Sequence, residues 1–124
     1  MDIKLFDSEM KVMEVIWREG DVPACRIAEQ LHKDIGWNKN TTYTIIKKCI
    51  AKNAVERREP NFICHSLVTR EEVQNTELDA LMSKLFDGSA EQLFASLLSH
   101  KNLPNHVLDR LKTMVREQGE INES

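Results

Sequence analysis

Glycine and proline are scarce in this chain, at four and three of 124 residues. That excludes a loop-dominated or collagen-like fold and leaves long periodic segments, as expected of a mostly helical protein. Cysteine is scarce too: Cys25, Cys49 and Cys64 are odd in number and widely spaced. No C-x-C or C-x-x-C occurs, so neither a disulfide framework nor a zinc knuckle is signalled. Reduced and mostly buried thiols are the simplest reading; a redox switch, or a metal site shared across subunits, is the alternative.

No apolar run approaches the roughly 20 residues that cross a bilayer. The start, Met1 to Asp7, lacks the basic end and apolar core of a secretory signal, which predicts a cytoplasmic protein without membrane insertion. There is no glycine-rich phosphate loop and no nucleophile elbow. His32, His65, His100 and His106 show no zincin spacing, and the adjacent Cys64 and His65 should point to opposite faces of a strand. No catalytic residue, metal or cofactor is predicted. Trp17 and Trp37 read as core or junction residues.

Averaging hides the charge. The net charge is −3, yet residues 38–58 carry six cations (Lys39, Lys47, Lys48, Lys52, Arg57, Arg58) against Glu56 alone, whereas residues 71–124 carry five cations and ten acids. A basic segment beside an acidic half is a functional asymmetry.

Hydrophobic spacing supplies the elements. Phe6, Met10, Met13 and Trp17, widened by Val12 and Ile16, predict a first helix from Asp7 or Ser8 to just before Gly20. Asp21-Val22-Pro23 is a connector, with a one-residue strand position and Pro23 as the first residue of the next helix. Ala24, Ile27, Ala28 and Leu31 give that helix its face, and Gly36 stops it. A third helix opens at an Asn38 cap. On a wheel of about 100° per residue, Thr42, Ile45, Ile46, Cys49 and Ile50 fill one arc, and Asn40, Tyr43, Thr44, Lys47, Lys48 and Ala51 the other, with Thr41 at its edge. Asn53 is a left-handed terminator. Two strands over 54–59 and 62–68 flank a Pro60-Asn61 turn. Three short helices followed by a hairpin with basic residues near its tip make a winged helix-turn-helix pattern.

Beyond the hairpin, Thr69-Arg70-Glu71-Glu72 and Ser89-Ala90-Glu91-Gln92 are capping boxes. The first opens a helix with Val73, Ala80, Leu81, Leu85 and Phe86, closed by Gly88. The second opens one with Leu93, Phe94, Leu97 and Leu98. Pro104 starts a last helix with Val107, Leu108, Leu111, Met114 and Val115. The predicted architecture is mainly α with a small β-hairpin: a winged-helix domain over 1–69, a three-helix dimerisation domain over 70–118, and a disordered tail over 119–124. About 50 residues in three short helices bury little apolar surface alone. Two interlocking copies resolve this; packing back onto the N-terminal half is the alternative.

The third helix carries the chemistry. Asparagine can pair with adenine, and threonine offers a hydroxyl and a methyl to base edges. Asn40, Thr41 and Thr44 lie in the first turns, the part of a recognition helix that points into the major groove. Tyr43 can bond phosphate or stack on sugar and base. Lys39, Lys47 and Lys48 suit phosphate contacts, and Arg57, Arg58 and Asn61 lie on or near the wing. An ordinary solvated helix face is the plain alternative. So are a thiol- or metal-responsive repressor and a winged helix that binds protein and not nucleic acid.

The sequence resembles the BlaI/MecI family of β-lactamase and methicillin-resistance repressors over about residues 5–118. The resemblance rests on Glu9-x-x-Val12-Met13-x-x-Ile16-Trp17 and on Trp37-x-x-x-Thr41-x-x-Thr44-Ile45-Ile46-x-Lys48. It extends to Ser66-Leu67-Val68-Thr69 and Leu85-Phe86-Asp87-Gly88-Ser89. It implies a homodimer of winged-helix domains that binds double-stranded, dyad-symmetric operator DNA and represses transcription, with Thr41, Tyr43 and Thr44 as readers. Leu81, Leu85, Leu93, Phe94, Leu97, Leu98, Leu108 and Leu111 are the expected dimer residues. In antibiotic-responsive members a membrane β-lactam sensor triggers cleavage within the dimerisation half; the matching bond is Ser96-Leu97, where the staphylococcal members have Asn-Phe. Asn40 stands for a frequent lysine, Tyr43 for an arginine and Asn53 for a glycine. The C-x-C ending of copper-responsive relatives is missing.

Overall fold

The computed structural model describes residues 3–100 and 102–123, with side chains as far as 117. In chain order the elements are α1 (Asp7–Glu19), β1 (Val22–Pro23), α2 (Ala24–Ile35), α3 (Lys39–Ala51), β2 (Val55–Arg58), β3 (Ile63–Ser66), α4 (Arg70–Leu85), α5 (Ala90–Leu98) and α6 (Asn105–Glu123). The strands form one antiparallel sheet in the order β1-β3-β2, with Val22 and Arg57 both opposite Cys64. Three helices and this sheet make a winged helix-turn-helix, the β2–β3 hairpin being the wing. The chain divides into two compact units, Met1–Ala80 and Leu81–Ser124, and the division falls inside α4.

The first unit is built around a stripe from each of its three leading helices. Val12, Met13, Val15 and Ile16 of α1, Ala24, Ile27, Ala28 and Leu31 of α2, and Ile45, Ile46 and Cys49 of α3 are buried. Val55, Cys64 and Val73 close the core from the sheet and from the first turn of α4. Local chemistry sets the ends of these helices. Gly36 ends α2 in the left-handed region (φ 75, ψ 15) and donates its N–H to the His32 carbonyl, a conformation that costs a glycine nothing. Asn53 ends the α3 region with φ 63. Thr69 Oγ1 accepts the Glu72 N–H at 3.0 Å and opens α4.

Some sequence expectations are corrected. Phe6 lies outside the core at 61% exposure, and Glu9 takes the inward position instead. Pro23 is the extended residue before α2 (φ −63, ψ 145) and belongs to a two-residue strand. It stands in register with Ile63, and the next residue, Ala24, donates its N–H to the Phe62 carbonyl at 2.9 Å, so the strand runs up to the first residue of the helix. The wing strands are shorter than the 54–59 and 62–68 runs; at the tip Asn61 and Phe62 both take positive φ and leave the ladder.

Glu9 is the one acid in this core, 1% exposed. Its Oε1 accepts the Phe6 N–H at 2.7 Å and the Lys52 Nζ at 2.6 Å. Lys52 Nζ also donates to the Lys4 carbonyl at 2.9 Å and stands 4.0 Å from the Phe6 ring centroid. One ion pair thus ties the chain entry, α1 and the end of α3. Near the C-terminal end of α1, Trp17 Nε1 donates to Ser66 Oγ at 3.1 Å and to the Val68 carbonyl at 2.9 Å, fastening the helix to the base of the wing.

The second unit is different in kind. No residue from 81 to 117 is buried among those described. Leu85 is 61% exposed, Met114 55% and Val115 48%. Ser89 caps α5 by accepting the Gln92 N–H at 3.1 Å, so this helix has a defined start although the unit has little core among the described residues. The backbone of α6 runs to Glu123. The side chains of 118–124, where the sequence predicts a disordered tail, lie outside the described residues.

Removing Lys52 leaves the Glu9 carboxylate buried without its partner. Lys52→Met should therefore lower stability by about 3 kcal/mol in urea unfolding at pH 7, and adding Glu9→Gln should restore part of the loss. A loss under about 1 kcal/mol would put the pair in the class of surface ion pairs.

Candidate nucleic-acid interface

α3 begins where Asn38 accepts the Thr41 N–H on its side-chain oxygen at 2.8 Å. This cap fixes the rotation of the first turn. Thr42, Ile45, Ile46 and Cys49 then face inward and are buried, while Lys39, Asn40, Thr44, Lys47 and Lys48 are exposed and Thr41 and Tyr43 half-buried. The inner and outer arcs of the sequence wheel are thus the inner and outer faces of the helix. Thr44 Oγ1 donates to the Asn40 carbonyl at 2.9 Å. Its proton is engaged, so Thr44 presents a methyl group and an acceptor oxygen outward.

Charge is distributed less simply than the sequence count suggests. Lys39, Lys47 and Lys48 form no salt bridge among the described residues. Lys52 points inward to Glu9. Arg57 is paired with Glu59, and Arg58 with Glu56 at 3.3 Å and Asp21 at 3.4 Å. Asp21 in turn lies 2.7 Å from His65 Nδ1. Of six cations in one stretch, the three on α3 are the ones left without an acid.

The pleat separates the wing residues that the sequence grouped together. Val55 and Arg57 lie on one face of β2, Glu56 and Arg58 on the other. Arg57 is in register with the buried Cys64, hence on the face toward α3, whereas Arg58 sits with Glu56 and His65 on the opposite face. Asn61 is exposed at the tip with φ 74. The residue that sequence reasoning missed is Phe62. Its ring meets Tyr43 edge to face (centroids 5.8 Å, planes 75°) and carries the Arg57 guanidinium 3.7 Å from its centroid. Lys39 Nζ lies 5.7 Å from the other ring, Tyr43. The only available sign was an aromatic residue directly after the Pro60-Asn61 turn.

The remaining sequence-selected residues belong to the second unit or its approach. Leu81 and Leu85 are on α4, Leu93, Phe94, Leu97 and Leu98 on α5, and Leu108 and Leu111 on α6. Leu93, Leu108 and Leu111 are half-buried and the other five exposed. Ser96 and Leu97 lie exposed within α5, where the Ser96 carbonyl accepts from Ser99 Oγ at 3.3 Å.

The family model described as penicillinase repressor matches residues 5–117. A penicillinase repressor of Bacillus licheniformis is 18% identical over 116 residues, covering 92% of this chain and 91% of its own. Among solved structures, the DNA-binding domain of the repressor BlaI superposes with a TM-score of 0.53 at 22% identity, over 58% of this chain and 90% of that one. Bacillus licheniformis BlaI, solved as a monomeric form with the blaP half-operator, gives 0.52 at 22% identity over the same shares. At that identity these two structures bear on the fold.

The three thiols occupy unlike surroundings. Burial pushes Cys49 up to about 12, with the nearby Glu9 carboxylate adding to the shift. Burial likewise pushes Cys64 up to about 11, against the pull of the Arg57 charge. Cys25 is exposed on α2. Among the described residues no three His, Cys, Asp or Glu side chains gather where a metal ion could be held. The thiolate is the reactive form, so a disulfide reagent at pH 8 should titrate Cys25 rapidly in the folded chain. Cys49 and Cys64 should react only at the rate of opening, and rapid reaction of all three would contradict the burial.

Proposed function

We propose that this chain, which belongs to the penicillinase repressor family, is a homodimeric transcriptional repressor of β-lactam resistance genes. In this reading α3 enters the major groove of dyad-symmetric operators, and proteolysis in the C-terminal half relieves repression. The outer face of α3 carries the reading: exposed amide and hydroxyl side chains, three lysines without acidic partners among the described residues, and a cap that aims the first turn outward. Asn40, Thr41 and Thr44 read base edges, Thr44 through its methyl and acceptor oxygen. Tyr43 meets sugar, phosphate or base. Lys39, Lys47 and Lys48 hold phosphates and fix the register. Arg57, Arg58 and Asn61 lie on the wing, beside backbone or minor groove.

The dimerisation domain is read as 70–118, although Val73 in the first turn of α4 packs in the core of the first unit. Its support is that no residue from 81 to 117 is buried among those described. A second copy covering Leu81, Leu85, Leu93, Phe94, Leu97, Leu98, Leu108 and Leu111 would supply a core. Cutting Ser96-Leu97 by a protease under a β-lactam sensor would split α5 in the middle of that cover. Loss of the dimer ends the simultaneous grip on two half-sites, and effective concentration falls steeply. The protein works in the cytoplasm in this scheme, where operator DNA is. The raised thiols of Cys49 and Cys64 work against a thiol-responsive alternative that uses them.

Footprinting on the DNA around its own gene should show protection of a dyad-symmetric site. On that site Thr44→Ala should cost about 1–3 kcal/mol and relax one base position. Lys47→Ala should weaken operator and random duplex alike and reduce the salt slope by about 0.9. Equal losses for Thr44→Ala on both duplexes would contradict base reading. Light scattering at micromolar protein should give the mass of two chains, and a strict monomer would sink the dimer.

A further inference from the structure

The tip of the wing holds a side chain with no place in the scheme above. Glu59 is exposed, yet both its oxygens are engaged: Oε1 accepts from Arg57 Nε and Oε2 from the Phe62 N–H at 3.3 Å. Those two hydrogen bonds, the Arg57 one first, hold its carboxyl below the usual carboxylate range, so it is charged at neutral pH. The guanidinium it grips lies over the Phe62 ring, and Phe62 meets Tyr43 on the outer face of α3. Phe62 has φ 50, a left-handed conformation unfavourable for a residue with a side chain. The Glu59 bond to its N–H helps to fix it. Glu59, Arg57, Phe62 and Tyr43 thereby form one column from the wing to the recognition helix.

A wing arginine normally adds salt-sensitive grip on phosphate. Here a phosphate must first displace a carboxylate two residues away, an obstacle that Lys47 and Lys48 do not present among the described residues. We propose that Glu59 is an internal counter-ion that withholds Arg57 from DNA phosphate and pins it on Phe62, so that the wing positions Tyr43 against the groove instead of adding unspecific charge. The inference rests on the DNA-binding reading. Its consequence is a lower affinity for random sequence, which raises the ratio on which discrimination among genomic sites depends.

The test uses the full chain, a random-sequence duplex and a salt series, with E59Q, R57Q and the double variant. E59Q should tighten binding to the random duplex and steepen the slope of log K against log salt by about 0.9, the signature of one added phosphate contact. The same change made in the R57Q background should shift the slope far less. Equal shifts in both backgrounds, or none in either, overturn the withholding role. Tyr43 is the only tyrosine in the chain, so its ring-proton chemical shifts in free protein are an independent readout. They should move toward exposed-tyrosine values in E59Q, and unchanged shifts overturn the positioning role. If the unaltered chain shows no salt-dependent binding to any duplex, the DNA-binding reading falls and takes the inference with it.

Discussion

The buried carboxylate of Glu9 is the constraint on which the first unit depends. One oxygen serves the Phe6 N–H and the Lys52 ammonium, so the entry of the chain, α1 and the end of α3 meet at one charge. The other oxygen is buried without a partner among the described residues. Such a site tolerates little rearrangement, because moving either end leaves a buried carboxylate without its partner. It therefore fixes where α3 ends, while the Asn38 cap fixes where it begins. Between those two points the helix has no freedom to roll, and Asn40, Thr44, Lys47 and Lys48 are held outward.

A second consequence follows for the field that a nucleic acid meets. Ion pairing inside the unit withdraws Lys52, Arg57 and Arg58 from the positive segment. The cations that remain are Lys39, Lys47 and Lys48 of α3, spread across its outer half from one edge to the other. Positive potential is thereby concentrated on the element that carries the amide and hydroxyl side chains, and the wing beside it is nearly self-neutral. A protein with a net charge of −3 can still present a basic surface of this kind, because screening at physiological salt confines each charge to about 8 Å.

The two units illustrate different answers to the same problem of size. The first closes a core by wrapping three helices and a small sheet around Met13, Ile16, Ile27 and Ile46. The second has helical periodicity and a capped α5, yet Leu85, Phe94, Leu97, Leu98 and Met114 remain exposed. Amphipathic pattern creates a face that must be covered and does not say by what.

Much of the fold was legible in the residues because its signals are local. Gly36 ends α2, Asn38 opens α3, the hydroxyls of Thr69 and Ser89 cap α4 and α5 without the return bond of a capping box among the described residues, and the wheel of α3 separates its faces. Each depends on side chains within one turn of the backbone they act on. The outer residues of α3 were legible for the same reason. What the sequence could not determine is which charges meet. Lys52 and Glu9 are 43 positions apart, Arg58 and Asp21 are 37 apart, and no spacing rule links them. The pleat placed Arg57 and Arg58 on opposite faces, and at the tip Asn61 and Phe62 took positive φ and left the ladder, with the Phe62 ring against Tyr43. Periodicity along one chain determined the helices and their faces; only tertiary contact between distant segments decided which cations remain free for a partner.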